Sequence, residues 1–162
     1  MAAIFDYEHT VADAEIDALN HASNVAYVEW MQAAALAHST ALGWPAERYM
    51  AQGQGWVVRA HAIEYLQPAF AGDQVVVRTW VATMRKATSS RRYLIFRKSD
   101  GQRLATAETR WAFIDFATRQ PVRVPPDVAE SFPVVSEEYG TLVGDRRAAT
   151  VVPSSRIRSP CP

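Results

Sequence analysis

Residues 4–11, IFDYEHTV, alternate along the chain. Phe5, Tyr7 and Val11 fall on one side, and Asp6, Glu8 and Thr10 on the other. That period of two predicts a half-buried strand. The period changes at Asn24. Residues 25–42 place Val25, Tyr27, Val28, Trp30, Met31, Leu36 and Leu42 among many alanines, with Glu29 as the only full charge. The spacing predicts a helix of about five turns. Gly43 followed by Trp44 and Pro45 is its stop signal. A helix apolar nearly all round has to be covered nearly all round, and the rest of the chain offers the cover. Residues 56–65, 74–83, 89–98 and 103–115 are rich in Val, Thr and aromatic residues and read as strands. AGDQ precedes the second of these, and SDGQ joins the last two as an Asp-Gly hairpin. Strands of this length exceed the usual five or six residues. The simplest architecture is α+β: one long buried helix wrapped by a curved antiparallel sheet of about five strands. After Pro125 and Pro126 the pattern dissolves. The expected division is a domain over residues 1–133 and a C-terminal extension over 134–162, either irregular or packed on a partner.

Composition narrows the function classes. Of the 162 residues, 49% are hydrophobic and 21% charged, and the formal net charge is zero. A dedicated nucleic-acid binder would carry a basic excess, so no nucleic-acid partner is expected. Cys161 is the only cysteine, which leaves no internal disulfide and no sign of an oxidising compartment. The first residues lack the basic start of a secretion signal, and Asp6 and Glu8 interrupt any apolar stretch behind it. No apolar run is long enough to span a bilayer. A cytoplasmic protein without a membrane partner is the expectation.

The candidate chemistry lies where strand gives way to helix. EIDALNHASNVAYVEWMQ, residues 15–32, holds Asp17, Asn20, His21 and Asn24 within eight positions and runs directly into the apolar helix. The first N–H groups of a helix have no partner inside it, and the positive end of the helix dipole stands behind them. An oxygen that becomes negative during a reaction gains most from such a place. A carboxylate next to it serves as nucleophile or general base, and an imidazole assists proton transfer near neutral pH. The bland readings are an Asx-turn for Asp17, a loop hydrogen bond for His21 and a helix N-cap for Asn24.

These residues resemble a known family. The spacing Asp-x-x-Gly-His-x-x-Asn-x-x-Tyr opens the helix of the hotdog-fold thioesterases, in particular the 4-hydroxybenzoyl-CoA and acyl-ACP thioesterase-like branch. Asp17, Asn20, His21, Asn24 and Tyr27 follow it without a gap. IEYLQPAFAGDQVVV is similar to the family's Tyr-x-x-Pro and Gly-Asp before a strand, and FIDFATRQPVRVP to its closing strand with an Asp turn and final proline. The likeness covers roughly residues 4–126. Asn20 stands where glycine is usual, and asparagine is the residue next most able to adopt positive φ. Gln32 stands where many relatives carry a glutamate. Leu19 stands where the plant acyl-ACP type has an asparagine, so that three-residue arrangement does not carry over intact.

The resemblance implies hydrolysis of an acyl-CoA or acyl-carrier-protein thioester to a free acid and a thiol. Asp17 would be nucleophile or general base, His21 an orienting or proton-transferring group, and the helix start near Asn24 the oxyanion hole. No separate cofactor is implied, since coenzyme A or phosphopantetheine arrives as part of the substrate. Tyr27 and His61 are candidates for the substrate pocket. His61 and Glu64 have opposite parity on their strand, so only one of them faces the helix. Arg85, Lys86, Arg91 and Arg92 lie about one turn connection, where they either hold coenzyme A phosphates or an acidic carrier, or form a solvated hairpin end. His9, His38 and Cys161 offer no zinc spacing. Two other readings stand beside hydrolysis: a hotdog hydratase or dehydratase, and a non-catalytic acyl-binding domain. The first expects Asp-x-Asn-x-x-His, with five steps from Asp to His where this chain has four. The second has no need of a carboxylate at Asp17. The two sheet edges, the first strand and residues 56–65, invite pairing. The family likeness implies a homodimer or a dimer of dimers, with each site built from two chains.

Overall fold

The computed structural model of the protein describes residues 2–136. Strand β1 (Ile4–Thr10) leads through a single 3-10 turn (Asp13–Glu15) into helix α1 (Asn24–Ala41). A short helix α2 (Ala46–Gln52) follows, then strands β2 (Gln54–Tyr65), β3 (Gln74–Met84), β4 (Thr88–Arg97) and β5 (Arg103–Asp115), and a last short helix α3 (Pro126–Ser131). The strands form one antiparallel sheet in the order β1-β3-β4-β5-β2. Its inward row runs across the strands as Phe5, Thr79, Tyr93, Ala107 and Ile63. Register shifts fall between Val58 and Ala60, Val81 and Thr83, and Ile95 and Phe96. Bulges of this kind bend a strand and increase its twist, which lets the sheet curl round α1. This is the hotdog fold.

Ser23, not Asn24, caps α1: its Oγ accepts the Ala26 N–H at 3.3 Å. Tyr27, Trp30, Met31, Ala34 and His38 form the buried stripe of the helix. The first four pack on Val75, Val77, Tyr93 and Ile95 of the concave sheet face. Fully burying a side chain such as Met31 or Ile95 contributes about 1.5–3 kcal/mol. At the far end of α1, Leu42, Trp44, Phe113, Val128 and Phe132 make a second cluster. The convex face carries a third, of Val76, Trp80, Leu94, Phe96 and Val135.

Three expectations need correcting. The described chain covers α1 on one side only, leaving Val25 65% and Leu36 51% exposed. Helices α2 and α3 were not foreseen, because six or seven residues are too few for a helical period to declare itself. Residues 134–136, assigned to the extension, begin on the protein's own sheet: Val134 bridges Val81, and Val135 is buried. The remainder of that extension, and Cys161, lie outside the described residues. No described helix is long and apolar enough to cross a membrane, and the described residues contain no group of potential metal ligands.

His38 is buried at the centre of this packing. Its ring stacks on Phe5 with centroids 5.3 Å apart. Nδ1 faces Arg91 Nη1 at 2.9 Å, and Nε2 faces the Ala2 carbonyl oxygen at 2.9 Å. An arginine only donates, so Nδ1 accepts and Nε2 carries the proton. The ring is held neutral. Burial pushes its pKa below the ordinary 6.5, and the nearby Arg91 charge pushes the same way. His61 is lowered by burial as well. In the unfolded chain both rings take up protons near pH 6.5, whereas in the folded chain they resist. Their contribution to stability is therefore full above about pH 6.5 and shrinks as the pH falls through the lowered folded values. Thermal melts between about pH 7.5 and about pH 5 should show the loss. His38→Gln, which keeps a donor and an acceptor, should flatten part of it.

Candidate active site

The Asp17 loop is a closed turn with a defined geometry. The Asp17 N–H donates to the His21 carbonyl at 3.0 Å, and the Asn20 N–H returns to the Asp17 carbonyl at 3.0 Å. Asn20 sits at φ 71°, in the left-handed region that asparagine tolerates better than most residues. Asp17 Oδ1 accepts the Leu19 N–H at 2.8 Å, so the Asx-turn is present. Oδ2 lies 3.8 Å from His21 Nδ1, beyond hydrogen-bond reach, with both side chains about one-third exposed (32% for Asp17, 33% for His21). His21 Nδ1 stands 3.3 Å from the Ala22 carbonyl oxygen. The Asx-turn occupies one carboxylate oxygen and leaves the other facing the imidazole and solvent.

Three attachments hold this loop against the start of α1. The Ser23 N–H donates to the Glu15 carbonyl at 2.8 Å, and the Ala22 N–H to the Ala69 carbonyl at 2.8 Å. Tyr65 Oη donates to the Asn24 carbonyl at 3.0 Å. The segment that receives the second bond is itself fixed. Arg97 donates from Nη2 to the Pro68 carbonyl at 2.9 Å and from Nε to Asp73 Oδ2 at 3.0 Å. The Tyr-x-x-Pro and Gly-Asp motifs thus have a physical role: they brace the helix start. Asn24 and Val25, first in the helix, have no carbonyl four residues back inside it to bond. Ser23 Oγ serves Ala26 alone of the first turn.

Glu15 was missed by the sequence reading. Its carboxylate accepts the Trp30 Nε1–H at 2.9 Å, the Ala12 N–H at 2.9 Å and a bond from His9 Nε2 at 2.9 Å. Burial works to raise its pKa, but the His9, Trp30 and Ala12 hydrogen bonds outweigh it and hold the carboxyl below its ordinary value. Glu15 ties β1, the loop and α1 together two residues before Asp17. An acid preceding an Asp-loop, with a tryptophan on the buried stripe ahead, was the available signal.

The other candidates separate. Tyr27 is 2% exposed, its ring packed on Trp30 and edge-on to Tyr65. Burial raises its hydroxyl's pKa, and that hydroxyl is engaged by the Ala69 backbone. It supports Tyr65 and is closed off from a substrate. His61 faces inward, Nδ1 2.8 Å from Thr109 Oγ1, while Glu64 is exposed. The four basic residues are no cluster, because neighbours on a strand point to opposite faces. Arg85 and Lys86 are exposed in the β3–β4 turn. Arg92 points to the convex side and pairs with Glu108 at 3.3 Å. Arg91 is 5% exposed and points inward, so it cannot meet phosphates at the surface. It lines a cavity of about 260 Å³ between α1, α2 and the sheet, together with Leu36, Met50, Trp56 and Trp111.

Residues 11–132 match the model of the thioesterase-like superfamily, and the chain belongs to that family. By that membership it is a thioester hydrolase. Solved structures agree on the fold. A 1,4-dihydroxy-2-naphthoyl-CoA thioesterase from Synechocystis superposes with a TM-score of 0.74 at 19% identity, over 79% of this chain and 94% of its own. A DHNA-CoA thioesterase from Staphylococcus aureus gives 0.75 at 23%, over 88% and 93%. A gentisyl-coenzyme A thioesterase gives 0.72 at 19%, over 79% and 99%. No curated protein matches the sequence.

Glu15→Ala strands three donors, on His9, Ala12 and Trp30. It should lower stability by about 1–3 kcal/mol, which at about 2–4 °C per kcal/mol is readable in a thermal melt. Because the Asp17 loop hangs on this residue, hydrolysis should fall more than the fraction of unfolded protein explains.

Proposed function

We propose that the protein is an acyl-CoA thioesterase in which Asp17 is nucleophile or general base and the N–H groups at Asn24 and Val25 form the oxyanion hole. The observation that carries this reading is the Asp17 carboxylate, with one oxygen uncommitted, on a closed turn that runs directly into the unpaired start of α1. As nucleophile, Asp17 attacks the thioester carbonyl, the C–S bond breaks, and the thiolate leaves and takes a proton. Water then hydrolyses the mixed anhydride to release the acid. As base, Asp17 takes a proton from the water that attacks. In both routes negative charge gathers on the carbonyl oxygen, where the helix start stabilises it most. His21 orients the water or substrate. Arg85 and Lys86 form no ion pair among the described residues and flank cavity residues Met84 and Ser89. That place suits the phosphates of coenzyme A, or an acidic carrier.

The site is completed by a second copy. Strand β2 is an edge of twelve residues. The other edge, β1, has seven and turns Asp6 and Glu8 outward into ion pairs with Arg78 and Lys98, a pattern that discourages pairing. Apolar side chains at the start of α1 are exposed: Leu19 at 76%, Val25 at 65% and Phe70 at 48%. Antiparallel pairing of β2 with its copy about a two-fold axis sets the Tyr65 end of one chain against the Gln54 end of the other. The Asp17 loop of each subunit then faces the Leu36 and Met50 side of its partner.

Asp17→Asn should keep the fold and lower kcat about 10²-fold or more, with His21→Ala costing less, because the oxyanion contact comes from backbone. Near-normal turnover by Asp17→Asn on a well-hydrolysed acyl-CoA removes Asp17 from the mechanism. Light scattering at micromolar concentration should give at least twice the 18.0 kDa chain mass; an active monomer sinks the shared site.

A further inference from the structure

Arg91 is a buried charge without a counterion. Among the described residues no carboxylate pairs with it, and its hydrogen bonds use Nη1 alone, to His38 Nδ1 at 2.9 Å and Thr79 Oγ1 at 3.2 Å. A guanidinium has five N–H donors, so Nε and Nη2 remain. Arg91 lines the cavity with these donors uncommitted, and a charged donor group left open on a cavity wall marks the place of an acceptor. The Trp111 ring lines the same cavity, with its Nε1 turned into the protein and out of a ligand's reach.

The hydroxyls of the wall are already committed. Ser39 Oγ donates to the Trp44 carbonyl at 2.7 Å, Ser89 Oγ to the Thr83 carbonyl at 2.8 Å, and Tyr49 Oη lies 3.3 Å from Ser39 Oγ. His38 presents a lone pair to Arg91 and no charge. Gln32 adds a neutral amide on the exposed side, and the rest of the wall is apolar, with Leu36, Met50 and Trp56 towards the mouth. A ligand that fits has an apolar body and an anionic oxygen at its inner end. A neutral hydroxyl or carbonyl would leave the arginine charge unbalanced in surroundings that penalise it.

We propose that this cavity receives the acyl group and selects one bearing a second carboxylate, whose oxygens accept hydrogen bonds from Arg91. The assignment rests on the thioesterase reading and on the pairing that brings the second copy's Asp17 loop to the cavity mouth. The second carboxylate lies at the end of the acyl group away from the thioester, so the preferred substrates are dicarboxylic acids joined to coenzyme A through one end. Arg91 acts in selection, remote from the reacting carbonyl.

The test separates the pocket from the chemistry. Calorimetric titration of the full chain with 2-naphthoate and with 2-naphthamide compares an anionic with a neutral ligand of one shape. The acid should bind about tenfold tighter or more, as expected for a charge-assisted pair. Arg91→Met should erase the preference, whereas Trp111→Phe, which keeps an aromatic wall, should leave it in place. Should Arg91→Met fail to fold, the two ligands on the native chain still decide. In parallel, kcat/KM is measured for glutaryl-CoA against pentanoyl-CoA, with the dicarboxylic thioester expected to be favoured. Selective acid binding with no hydrolysis of either thioester upholds the anion pocket and sinks the thioesterase reading. Equal binding of acid and amide overturns the pocket even if both thioesters are hydrolysed.

Discussion

The structure depends on one constraint: a helix with apolar residues on every side has a sheet that reaches only one of them. The concave face takes up Tyr27, Trp30, Met31 and Ala34, and its curvature follows from three register shifts in long strands. Val25 and Leu36 are left outside. Exposed apolar surface of this kind marks an interaction site. The same geometry that makes the helix a good core element leaves its reactive end open, because the sheet cannot close over the Asp17 loop as well.

The loop is held by bonds that are local in effect but distant in sequence. Glu15 reaches Trp30, Ala22 reaches Ala69, and Tyr65 reaches Asn24. None of them touches the reacting atoms of the proposed chemistry. Together they set the angle at which Asp17 meets the helix start, and small errors in such an angle are expensive in rate. The bracing explains why the residues with the sharpest spacing in the chain include Pro68, Gly72 and Asp73, which do no chemistry.

The fold was legible because its signals are periodic and long. Residues 103–115 were read to the residue as a strand, and the other strands and α1 to within two. What failed had no period or depended on a third dimension. Helix α2 is seven residues long and α3 six. Asn24 was weighed as the helix cap on composition, but Ser23 holds that place, since the two differ by one position and both suit it. The basic group failed more instructively. Arg91 and Arg92 are adjacent in sequence and face opposite sides of a sheet, one sealed inside and the other paired with Glu108. Strand parity predicts the split, but not which residue goes in. Glu15 was overlooked because its three donors come from three separate segments.

The cavity and the Asp17 loop lie at different stations along α1. From Asn24 to Leu36 is twelve residues of helix, about 18 Å at 1.5 Å each. Different parts of the chain furnish them: the loop rests on the 66–73 segment and β1, the cavity on α2, the bulged end of β3 and the start of β4. Two tasks on one rigid rod, with separate sets of supporting side chains, are free to diverge independently. Substitutions at Met50, Trp56 or Trp111 alter what fits, while the machinery at Asp17 stays as it was. Such a layout lets a lineage change its diet without relearning its trade.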